Sequence, residues 1–203
     1  MSASELHYLE LHELTRLMHA KEISPVEVTK TQLERIEALD GKLHSFAWLT
    51  PELALRQARQ AEREILKGEI RSALHGAPIG IKDLCWMKDV PTASGMAIHK
   101  YFRPHEDAEA VRRLIDAGAI ILGKLQMTEG AYGDHHPEIA APVNPWNPER
   151  WPGVSSSGSG VATASGLCFG SIGSDTGGSI PCGCQRPCRT EADMGSCQPA
   201  WCF

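Results

Sequence analysis

The stretch from Gly153 to Ser179, G-V-S-S-S-G-S-G-V-A-T-A-S-G-L-C-F-G-S-I-G-S-D-T-G-G-S, is built almost wholly of small residues. Gly158 to Gly166 reads as a tightly packed helix. L-C-F-G-S-I-G-S after it reads as a strand leading into a D-T-G-G-S turn. The stretch also presents hydroxyls on glycine-flanked backbone at two places, around Ser155 and at Ser179. Gly177 and Gly178 let the chain come close to a substrate and aim several N–H groups at one point. A hydroxyl beside such a nest has the chemistry of a nucleophile with its oxyanion site attached. Upstream, Lys82 lies in the apolar frame G-A-P-I-G-I-K-D.

Nearer the N-terminus the pattern is helical. Leu11, Leu14, Leu17 and Met18 recur at helical spacing over residues 10–21. A second helix has a natural N-cap in Ser24, proline at its first position in Pro25, and Glu27 to complete a capping box. Val28, Leu33, Ile36 and Leu39 supply its apolar face, and Gly41 is expected to end it. Thr50-Pro51 opens a third helix that runs to Gly68. These three helices predict an N-terminal helical layer over residues 1–70. From there to residue 180 the pattern alternates. Pro78 to Ile81 reads as a strand, Asp107 as the cap of a helix that stops at Gly118, and A-I-I-L as a buried strand ending at Gly123. Strand, helix and strand in alternation predict an α/β layered fold.

Composition narrows the function by exclusion. The net charge of -5 comes without any basic run, which argues against nucleic-acid binding. No apolar stretch approaches the roughly 18 residues that span a bilayer. The N-terminus M-S-A-S-E-L-H-Y lacks the pattern of a secretory signal, so the cytoplasm is the expected location. There is no G-x-S-x-G nucleophile elbow, no G-K-[ST] phosphate loop and no G-x-G-x-x-G dinucleotide pattern, so no cofactor is implied. The His135-His136 pair reads as solvated loop histidines that nothing ties to a serine.

G-I-K-D at Lys82, the P-G-x-S-S run at Ser155 and D-T-G-G-S-I at Ser179 together resemble the amidase signature family. The connecting segments D-A-G-A-I-I-L-G-K-L-Q-M-T-E and N-P-W-N-P-E-R resemble it too, in the same order, over roughly residues 10 to 180. The resemblance implies a layered α/β fold with N-terminal helices and the first part of a mixed central sheet, here incomplete. It also implies a Ser–Ser–Lys triad, with Ser179 as nucleophile, Ser155 as a bridging serine preceded by a cis peptide, and Lys82 as base. Thr176, Gly177 and Gly178 would supply oxyanion N–H groups, and Asp175 reads as a turn-capping residue as readily as a chemical one. The expected substrate is a small-molecule amide, hydrolysed through an acyl-enzyme with no metal or other cofactor. The amidase subunit of a tRNA-dependent amidotransferase shares the same motifs and is the alternative. A homodimer is left open for the full-length form.

After Ile180 the resemblance breaks off. The tail P-C-G-C-Q-R-P-C-R-T-E-A-D-M-G-S-C-Q-P-A-W-C-F carries Cys182, Cys184, Cys188, Cys197 and Cys202, whereas only Cys85 and Cys168 precede it. A non-catalytic thiol- or zinc-binding protein is therefore a reading from another class. Yet C-x-C-x3-C-x8-C-x4-C is not the paired C-x-x-C arrangement of a zinc site. Back-translated and read one nucleotide later, the tail permits R-A-A-A-N-G-L-A-G-L-K-P-T-W-G-R-V-S-R-H-G-V, which continues the family pattern; Met194-Gly195 forces its tryptophan. Residues 181–203 are accordingly expected to be frameshifted sequence. The chain is expected to be a truncated, inactive amidase.

Overall fold

The computed structural model describes residues 6–175. Its elements are α1 (Leu11–His19), α2 (Pro25–Leu43), β1 (Phe46–Leu49), α3 (Pro51–Lys67), β2 (Pro78–Lys82), α4 (Glu109–Asp116), β3 (Ile120–Leu125), α5 (Ser157–Ala164) and β4 (Ser171–Ile172), with short 3-10 turns at Ala97–His99 and Glu129–Ala131. The strands form one mixed sheet in the order β1-β3-β2-β4. β2 runs parallel to both β3 and β4, while β1 pairs antiparallel with β3. Every residue of β2 and β3 is buried, as expected of parallel strands covered on both faces.

Neighbouring residues of β3 feed different parts of the core. Ile120, Leu122 and Leu125 pack with Ile36 of α2, Ala54 and Ala58 of α3, and Ala162 of α5. Ile121 joins Ile79 and Ile81 of β2, Val111 of α4 and Met87. A third cluster sets Leu14 and Met18 of α1 against Val28, Ile65 and Phe169. The helical N-terminal part and the later α/β part thus share both a sheet and a core.

Local sequence grammar explains most boundaries. Ser24 Oγ accepts from the N–H groups of Val26 and Glu27, and Pro25 occupies the first helical position of α2. Gly68 closes α3 in the left-handed region. Four details differ from the sequence expectations. Gly41 does not end α2. The roughly 1 kcal/mol that glycine costs in a helix interior is outweighed by Leu43 packing on the core, and His44 becomes the left-handed cap. The helical layer is interrupted by β1, whose four residues F-A-W-L are too few to reveal a period. Asp107 does not cap α4; its carboxylate accepts the Lys88 N–H, and α4 starts after Ala108 without a side-chain cap. Finally, β4 is only two residues long. The chain ahead of it reaches β2 through irregular bonds, Phe169 N–H to Pro78 O at 3.1 Å and Gly80 N–H to Gly170 O at 3.0 Å.

Candidate active site

Lys82 is the last residue of β2, at the carboxyl end of a strand flanked on both sides by parallel neighbours. Open parallel sheets bind ligands outside these strand ends. Two segments converge on the Lys82 side chain: the turn leading into α5, and the chain just beyond β4. Its Nζ lies 2.8 Å from Ser155 Oγ, 3.0 Å from Ser156 Oγ and 2.7 Å from Ser174 Oγ. Lys82 is fully buried, and Ser155 and Ser156 are nearly so. Burial lowers the Lys82 pKa to about 8, with Cys85 and Asp175 acting weakly in the other direction. An amine whose charged form is disfavoured in this way is neutral often enough near neutral pH to accept a proton.

The three hydroxyls are not equivalent. Ser156 Oγ donates to Ser174 O at 3.0 Å and accepts the Ser174 N–H at 3.1 Å, so its proton is committed. Ser155 Oγ has Lys82 as its hydrogen-bond partner among the described residues. The turn is pressed close to the sheet. A Cβ on Gly158 would run into the Gln126 and Ser45 carbonyls, and the Gly158 N–H donates to Gln126 O at 3.0 Å. The cis peptide implied before the bridging serine is absent; every peptide bond among the described residues is trans, the ordinary low-energy state of a non-proline bond.

A second lysine, Lys124 of β3, is equally buried but has different company. Its Nζ lies 2.9 Å from Asp83 Oδ1 and 2.8 Å from Thr92 Oγ1. Asp83 Oδ2 accepts the N–H groups of Ala93 and Ser94. Burial pushes Lys124 down and Asp83 up, and each opposes the shift of the other. Lys124 thus has a carboxylate at hydrogen-bond distance, whereas Lys82 is met by neutral hydroxyls.

The structure therefore brings together two residues singled out in the sequence, Lys82 and Ser155. Thr176, Gly177, Gly178 and Ser179 lie outside the described residues, as do the tail cysteines. Sequence reading missed Ser156 and Ser174 as partners of the lysine, although both stood inside quoted motifs. It also missed the Asp83–Lys124 pair, which adjoins Lys82 in G-I-K-D. His135 is not a solvated loop residue but half-buried, with Nε2 3.2 Å from Ser157 Oγ. The contact joins residues 22 apart, which no local pattern reveals. Among the described residues no helix is long and apolar enough to cross a membrane.

The chain as a whole is similar to known proteins in sequence and in structure. A sequence model of the Amidase family matches residues 27–186. AmiD of Mycobacterium tuberculosis (strain ATCC 25618 / H37Rv) is 57% identical over 172 residues, covering 85% of this chain and 36% of that protein. A subunit of the glutamyl-tRNA(Gln) amidotransferase of Nostoc punctiforme is 45% identical over 172 residues, covering 84% of this chain and 35% of that protein. The native peptide amidase structure from Stenotrophomonas maltophilia superposes with a TM-score of 0.74 at 35% identity, over 79% of this chain and 35% of that one. The chain thus spans about a third of the length of the relatives it matches. With motif order, sheet and sequence in agreement, the chain belongs to the amidase family.

Proposed function

We propose that the protein represented by this chain hydrolyses carboxylic amides through Ser179, Ser155 and Lys82. The observation that carries this reading is a buried lysine held by serine hydroxyls while its equally buried neighbour is paired with a carboxylate. Neutral Lys82 takes the proton of Ser155, the one of its two serine-run partners whose proton is not committed elsewhere among the described residues. Ser155 in turn takes the proton of Ser179, and the Ser179 oxygen bonds to the amide carbon. The N–H groups of Thr176, Gly177, Gly178 and Ser179 hold the oxyanion, a contribution of about 3–4 kcal/mol per donor in comparable sites. As the C–N bond breaks, the proton returns along the relay to the leaving amine. Water then hydrolyses the acyl-enzyme to the carboxylate.

A fluorophosphonate that phosphonylates activated serines provides the test. A full-length, in-frame form is expected to be labelled at Ser179, with labelling lost in Ser179→Ala and strongly reduced in Lys82→Met. No adduct at Ser179 in that form would refute the assignment. The 203-residue chain itself is proposed to be inactive and is expected to remain unlabelled. The likeness to the Nostoc amidotransferase supports one alternative, in which the amide is that of glutamine and partner subunits receive the ammonia. Glutamine hydrolysis that needs added partner subunits would select it.

A further inference from the structure

His135 has no part in the reaction proposed above, yet it touches the serine run. It sits in the irregular segment after the Glu129–Ala131 turn, and its Nε2 meets the Oγ of Ser157 at 3.2 Å. Ser157 is fully buried, directly follows Ser155 and Ser156, and opens α5. The other ring nitrogen, Nδ1, is buried and makes no hydrogen bond of good geometry among the described residues. The Met127 carbonyl nonetheless acts on the ring in favour of its protonated form.

Only one tautomer suits both nitrogens. If Nε2 carried the proton, it would donate to Ser157, the Ser157 hydroxyl would lack a described acceptor, and Nδ1 would be left as a buried acceptor without a donor. If Nδ1 carries the proton, Nε2 accepts the Ser157 O–H, and Nδ1–H is left for the neighbouring carbonyl. We propose that His135 is a positioning residue for the Ser155–Ser157 turn: as a neutral imidazole protonated on Nδ1, it accepts the Ser157 hydroxyl and so fixes the two hydroxyls that face Lys82. The proposal rests on the reading of Lys82 as the base.

The rest of the turn shows why this tie matters. Its backbone is fastened by the Ser157 N–H to Val154 O at 3.1 Å and by the Gly158 N–H to Gln126 O at 3.0 Å. Ser156 is fastened to Ser174. The segment 126–135 therefore grips the turn at two points, a carbonyl at Gln126 and an imidazole at His135. Burial, not charge, keeps the ring neutral. Burial pushes its pKa below the ordinary 6.5, while the Met127 carbonyl and the Asp134 carboxylate act the other way; the serine turn faces it with a hydroxyl rather than a charge. Protonation of Nε2 would turn an acceptor into a donor and force the Ser157 proton out of the line.

Imidazole 15N NMR on the wild-type chain is the first test. The Nδ1–H tautomer is expected, and an Nε2–H tautomer would overturn the proposal. Ser157→Ala removes a donor to the neutral ring, so the His135 midpoint should rise toward 6.5; no movement counts against the tie. The second test is the Lys82 titration midpoint, read from the pH dependence of its Cε and Nζ chemical shifts by NMR on lysine-labelled chain. His135→Leu frees the turn and admits water, so the Lys82 midpoint should move from about 8 toward 10.5, by about one unit or more. Ser157→Ala should give the same shift, the double variant no larger one, and His135→Gln, which keeps an acceptor, a value near wild type. A lowered Tm with an unmoved Lys82 midpoint in His135→Leu would show a merely structural residue. A wild-type midpoint already at 10.5 would instead remove the base reading, leaving the tautomer to judge the His135–Ser157 tie.

Discussion

Replacing Lys82 with methionine probes the chemical state of its amine without needing turnover. Burial holds Lys82 at about 8 in the folded chain, against an ordinary value of 10.5. Between those two values the unfolded chain binds more protons than the folded one, so wild-type stability rises with pH across the window. That contribution is fully present above 10.5 and is lost as pH falls through about 8. At roughly 1.4 kcal/mol per pKa unit, the whole window is worth about 3 kcal/mol at most. The figure is an upper one because the three serine hydroxyls partly solvate the charged form. Lys82→Met has no such proton, and the two proteins share every other titrating group. Urea unfolding of both at about pH 7, 8, 9 and 10 isolates the term. The difference, wild type minus variant, should be nearly flat up to about pH 7.5. Above that it should turn in favour of wild type by up to about 1.4 kcal/mol per pH unit. Its sign at pH 7 is set by two opposed effects, loss of the hydroxyl contacts and removal of a buried amine. The slope is independent of both. A difference that stays level from pH 7 to 10 would mean that Lys82 titrates like an exposed lysine, and the relay chemistry would lose its base.

Other outcomes follow from the same site. Lys124→Met leaves the Asp83 carboxylate buried and unpaired and should cost about 3–5 kcal/mol in chemical denaturation, with Asp83→Asn added to Lys124→Met recovering part of it. Gly158→Ala places a methyl against the Gln126 and Ser45 carbonyls; about 1–3 kcal/mol of lost stability is expected, and an unchanged Tm would contradict the tight turn. Sequencing the gene tests the origin of residues 181–203: codons incompatible with R-A-A-A-N-G-L-A-G-L-K-P-T-W-G-R-V-S-R-H-G-V in the shifted frame would rule out a frameshift.

The parts of this molecule legible in its sequence are those written in local signals. Ser24-Pro25 starts α2 as capping chemistry dictates, Pro51 and Gly68 bracket α3, and the apolar runs at Pro78 and Ile120 are buried strands. The meeting of Lys82 with Ser155 was legible only through the resemblance, because nothing local joins residues 73 apart. Where tertiary packing decides, the sequence misleads. Gly41 stays helical, Asp107 is drawn off to the Lys88 N–H, and His135 leaves solvent for Ser157. Ser174 and Ser156 stood in plain view among hydroxyls; which of them would reach the lysine depends on the close approach of α5 and β4 to the end of β2.

The parallel pairing of β2 with β4 has a consequence for the order in which the molecule assembles. Lys82 leaves the ribosome long before its partners, since Ser155 and Ser174 follow it by 73 and 92 residues. Closing loops of that length is slow compared with forming α2 or α3. Throughout that interval the amine is an ordinary solvated ammonium, harmless and fully charged. Its pKa falls, and the neutral amine on which the proposed relay depends becomes available, only when the last described segment docks, so the proposed site is switched on by the late steps of folding rather than by residues made early.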